Sequence, residues 1–195
     1  MINTSDLVQA ITIRSAKCSA LLIEKHRSSF PESGNEFKQK QIEIFFECLC
    51  FFGHITSRAI FNKKGPDKSH KINNKIGPML IDYTVHEFYQ PAVKDPSYVI
   101  PDEFKKRFYD YQNDAEREYS LCTAFILKPE EDIAYADKVA TGIKSKGTIN
   151  LFTDNIVNIL SENNPFTYYQ IMLTLVSALD LEKLEDIALK ASESI

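Results

Sequence analysis

One segment limits what this chain can fold into more than any other. Between residues 36 and 61, Phe37, Ile44, Phe45, Cys48, Leu49, Phe52, Ile55 and Ala59 recur at helical spacing along one side. Phe46, Cys50 and Phe51 add apolar groups on other sides. The period predicts a helix. A helix that is apolar nearly all round must be surrounded by other elements. Its length would also suit a membrane, but Ile42 to Ile60 holds Glu43, Glu47, His54 and Arg58. A charge at the centre of a membrane helix costs roughly 2.5–3.5 kcal/mol. The segment therefore reads as a core helix, and no membrane partner is expected.

The rest of the chain follows the same period. Val8, Ile11, Ser15, Cys18 and Leu22 mark a first helix over 4–28, with Thr4 or Ser5 as N-cap and Asp6 in its first turn. FPESGNE at 30–36 reads as a turn. A third helix is expected over 68–90, with Gly77-Pro78 kinking or breaking it. PAVKDPSYVIP at 91–101 holds three prolines and reads as an extended crossing. Pro101 and Asp102 open a fourth helix running to about 127. Further helices are expected over 131–145, 149–162, 165–179 and 180–191, with Pro165 at the first position of one and Asp180 capping the last. No stretch alternates with period two. The expectation is an all-α fold, a single-domain bundle of six to eight helices around the helix at 36–61.

Composition narrows the function classes. The net charge is −4, which weighs against general nucleic-acid binding, since that usually needs a basic field. The N-terminal residues, with Asp6, Arg14 and Lys17, do not resemble a signal peptide. The four cysteines, Cys18, Cys48, Cys50 and Cys122, form no C-x-x-C pair and sit among apolar neighbours. They read as reduced, buried thiols, which suits the cytoplasm. Charge is unevenly placed. Residues 62–75 carry Lys63, Lys64, Lys68, Lys71 and Lys75 against Asp67, whereas the last 45 residues carry seven acids against Lys183 and Lys190. The basic stretch reads as a solvated connector, or as a contact for phosphate or an acidic partner through Lys63, Lys64, Lys68 and Lys71.

No catalytic motif is present. There is no G-x-S-x-G and no glycine-rich phosphate loop. The most informative polar feature is a stripe on the central helix. Glu43, Glu47, His54 and Arg58 are 4, 7 and 4 residues apart, which puts all four on one side. That side either faces solvent, or holds a paired polar network, or forms a site, because isolated buried charge is too costly to persist. Candidate partners are Asp82 and His86 on the third helix and Arg117 and Glu118 on the fourth. Bundle cores hold di-metal sites through Glu-x-x-His pairs, and none occurs here. Glu47 and His54 lie roughly 10 Å apart along the helix axis, too far to share one ion. Neither a metal nor a cofactor is expected. Two functions stay open: a non-catalytic module that binds a protein partner or a second copy of itself, and a small-molecule- or metal-binding helical enzyme using the polar stripe.

Overall fold

The computed structural model describes residues 2–31, 34–84, 102–120, 147–162, 164–178 and 181–194. The fold is all-α. Seven α-helices and no β-strand occur among the described residues. They are α1 (Thr4–Lys25), α2 (Asn35–Lys64), α3 (Pro66–Tyr83), α4 (Asp102–Ser120), α5 (Thr148–Leu160), α6 (Pro165–Ala178) and α7 (Leu181–Ser192), with a 3-10 turn at Arg27–Ser29 after α1. The helix expected over 131–145, the crossing at 91–101, and the distal ends expected for the third and fourth helices lie outside the described residues.

Local chemistry explains most boundaries, with some corrections. Asn3, rather than Thr4 or Ser5, caps α1. Its Oδ1 accepts from the Ser5 and Asp6 backbone N–H groups at 2.7 and 3.2 Å, and Asp6 Oδ2 accepts from the Asn3 N–H at 2.8 Å. That reciprocal pair satisfies donors that a helix start leaves open. The basic connector shrinks to one residue. Helix α2 runs on to Lys64 and α3 begins at Pro66, so the lysines lie on helices. Gly65 turns the chain with φ 86°, a value that favours glycine. Pro66 then supplies a preset φ at the first helical position. Gly77-Pro78 does not end α3, which runs through both to Tyr83.

The chain forms two compact units, interleaved along the sequence. The first comprises the described residues of Met1–Ile13, Phe52–Asp114 and Leu181–Ile195. Its core gathers Leu7, Val8 and Ile11 of α1, Phe52, Ile55 and Ile60 of α2, Ile72, Ile76 and Leu80 of α3, and Leu184 and Ala188 of α7. Helix α3 packs on α7. Hydroxyl and amide groups join α2 to α3: Asn73 Nδ2 donates to Ser57 Oγ at 2.6 Å, and Ser69 Oγ donates to the Ser57 carbonyl at 3.0 Å.

The second unit comprises the described residues of Arg14–Phe51 and Ala115–Asp180. Cys18 and Leu22 of α1, Ile44 to Phe51 of α2, Ala115 and Tyr119 of α4, Phe152 and Ile156 of α5, and Ile171 and Leu175 of α6 fill it, with Phe45 half-buried. Helix α5 packs on α6. Six consecutive α2 residues, Phe46 to Phe51, are all buried. Six residues exceed one helical turn, so α2 is enclosed on every side there, as its composition requires. The Phe51 ring meets Phe152 at 4.7 Å and Tyr119 edge-on at 6.0 Å between centroids. Among the described residues one helix, Glu36–Lys64, is long and apolar enough to cross a membrane, and 67% of its most apolar window is buried within the protein.

Candidate functional site

Enclosure of α2 decides the position of Glu47. Its side chain falls in the fully surrounded stretch and is only 1% exposed. Two donors from distant helices meet its Oε1. Tyr119 of α4 donates its phenolic hydrogen, and Asn155 Nδ2 of α5 donates at 3.0 Å. A carboxylate removed from water needs such donors, since hydrogen bonds to a charged group are roughly twice as strong as neutral ones. The Phe51 ring meets Tyr119 edge-on and holds the phenol in place. Of the three readings open for the polar stripe, Glu47 takes the paired network. With the carboxylate sealed from solvent, the arrangement orients three helices and keeps a polar group satisfied in an apolar interior.

The other stripe residues have different surroundings. Glu43 is half-buried and accepts from Gln39 Nε2, one turn earlier, at 2.9 Å. Glu43 and Glu47 belong to the second unit, His54 and Arg58 to the first. His54 is half-buried, and its pKa falls to about 4, first through burial and then through the neighbouring Arg58 charge. Arg58 is half-buried, with its guanidinium 5.5 Å from the Phe61 ring centroid. Asp82 and Glu118 are exposed. His86 and the Arg117 side chain lie outside the described residues. Among the described residues no group of three His, Cys, Asp or Glu side chains could hold a metal ion.

The basic residues are spread over two helices. Lys63, Lys64 and Lys71 are exposed and Lys68 is half-buried. Lys63 and Lys64 close α2, where cations complement the helix dipole. Lys64 Nζ lies 3.3 Å from Glu193 Oε1 at the chain's acidic end. Part of the basic stretch therefore meets the acidic C-terminal part of the same chain.

Two features escaped the sequence pattern. The first is a polar cluster in the second unit. Glu162, just after α5, accepts from the Ser29 hydroxyl on one oxygen and from Thr167 Oγ1 at 2.5 Å on the other. His26 lies at the end of α1, 4% exposed, and its Nε2 has no hydrogen-bond partner among the described residues. The second is the outer side of α6. Phe166 is 64% exposed and Leu173 42%. The absence of any charged residue in PFTYYQIMLTLVSA was the available signal for it, because an uncharged helix needs cover on all sides.

Comparison with protein-family models, curated proteins and solved structures finds no match to this chain.

Proposed function

We propose that this chain is a non-catalytic cytoplasmic interaction module that pairs with a second copy of itself through the outer side of α6. The carrying observation is the exposure of Phe166 and Leu173 on a helix without charge. Seven residues separate them, so they share one side of α6 two turns apart. An antiparallel pairing about the midpoint sets Phe166 of one copy opposite Leu173 of the other. This is the self-complementary arrangement that two-fold dimers use. Large aromatic anchors dominate such contacts. Burying exposed apolar area is worth roughly 25 cal/mol per Å².

The uneven charge supports the reading less than the α6 side chains do, because Lys64 is taken up by Glu193. Size-exclusion chromatography with light scattering tests the proposal. The expected result is a dimer at high micromolar concentration that becomes a monomer in the F166D/L173D double variant, with helical content unchanged. A strict monomer in the unaltered protein overturns it.

The ligand-binding alternative draws on one observation, the buried Glu47 carboxylate beside a phenol and an amide. Metal analysis and thermal-shift screening of the purified protein separate the two. A stoichiometric ion, or a compound whose stabilising effect is lost in E47Q, favours the alternative.

A further inference from the structure

Helix α6 is tied to the end of α1 by polar side chains in the second unit. Lys25 Nζ donates to Thr174 Oγ1 at 3.1 Å. Ser29 and Thr167 donate to the two oxygens of Glu162, so that one carboxylate links the 3-10 turn to the first turn of α6. The backbone sets that carboxylate carefully. Ser161 adopts a left-handed φ of 59°, and the Glu162 N–H bonds back to the Val157 carbonyl at 3.2 Å. This closes α5 in the manner of a Schellman end. Asn164 Oδ1 then caps α6 by accepting from the Phe166 N–H at 2.9 Å. Thr167 is 5% exposed, directly beside the exposed Phe166.

His26 sits within this junction, in the chain between Lys25 and Ser29. Its backbone N–H bonds to the Leu22 carbonyl at 3.0 Å and closes α1, while the residue is buried and its Nε2 has no partner among the described residues. A neutral imidazole tolerates that position. An imidazolium does not, because a buried charge requires a partner. Among the described residues two charged groups act on the ring: Glu162, which favours the proton, and Lys25, which opposes it, with burial outweighing both and holding the ring's pKa below its ordinary value. Glu162, the acid of the two, already accepts one hydroxyl on each oxygen. A protonated His26 competes with Ser29 and Thr167 for that carboxylate, or leaves for water. Either movement releases the tie on α6.

We propose that this junction is an acid-opened latch: neutral His26 keeps the first turn of α6 seated, and proton uptake by His26 unseats it. The latch itself is independent of self-association. Its consequence, weaker pairing through Phe166 in acid, rests on the reading of α6 as the dimer face.

The test is amide hydrogen exchange on the full chain over residues 164–171, from about pH 7.5 down to about pH 4, a range that reaches well below the ordinary histidine value of about 6.5. Rates are corrected for intrinsic chemistry. The expected result is a loss of protection in this segment as pH falls, with a midpoint equal to that of the His26 ring followed by NMR. The acid response is lost in H26Q. Protection that stays constant over the range overturns the proposal, as does a midpoint that differs from the ring's. Because the ring titration is read in the unaltered protein, the comparison stands even where H26Q fails to fold. A monomer with the acid response intact removes the dimer reading and keeps the latch. A dimer without the response does the reverse.

Discussion

Glu47 shows how much a single buried carboxylate constrains its surroundings. It has a phenol and an amide on one oxygen and almost no access to water. Removing the carboxylate takes away the acceptor that the phenol and the amide share, and a buried group that loses a hydrogen bond costs more than the bond itself contributes. Glu47→Ala should destabilise the protein by about 3 kcal/mol or more, and Tyr119→Phe by about 1–2 kcal/mol. Glu47→Gln retains an acceptor and should fall between the two. Urea titration of the three variants checks the order. Equal effects for Ala and Gln would show that packing volume, not hydrogen bonding, holds the site. The stripe's spacing was legible in the sequence, but its burial was not. Tyr119 lies 72 residues from Glu47 and Asn155 lies 108 away, and no local period reports on partners at such separations.

At the level of elements, α3 carries a proline that its surroundings tolerate. Pro78 is exposed, so its missing donor leaves the Asn74 carbonyl in reach of water. The preceding residue is Gly77, which lacks the Cβ that would clash with a proline ring in helical backbone. A Cβ built there would meet Gln112 Nε2 at 3.5 Å, an ordinary contact, so space is not what requires the glycine. Pro78→Ala should restore the missing hydrogen bond and stabilise the protein by about 1–3 kcal/mol, read as a higher urea midpoint. A lower midpoint would mean that the backbone at Pro78 departs from helical geometry for a packing reason. The sequence predicts a kink or a break at Gly77-Pro78, and the helix runs on through both because the exposed side of α3 leaves the freed carbonyl to water. The sequence places α5 and α6 to within two residues, because Pro165 is a local start signal between them.

For the whole molecule, both described histidines with shifted pKa values, His26 and His54, titrate below the ordinary value of 6.5. The sign follows from linkage. Below about pH 6.5 the unfolded chain takes up these protons while the folded chain refuses them, so stability is full above that pH and falls as pH drops. For His54 the loss extends down to about pH 4, where the folded protein also binds the proton. His54→Gln should flatten this decline, measured as the urea midpoint at several pH values between about 7 and 4. An unchanged slope would assign the acid sensitivity to other groups.

The sequence by itself determined that the chain is helical, where the described helices begin to within about two residues, and that residues 36–61 form a buried core helix. These follow from the spacing of apolar side chains, from caps and from proline positions, all of which act within one or two turns. Only the tertiary structure decided which polar residues the core encloses. It buried Glu47 against Tyr119 and Asn155, set Lys64 against Glu193 across 129 positions, enclosed the His26 ring at the end of α1, and left Phe166 and Leu173 of an uncharged helix in solvent. Helix formation is a local matter of backbone hydrogen bonds and side-chain period. The cost of a buried charge or of an exposed phenylalanine depends on whatever lies across from it, and chain order leaves that open.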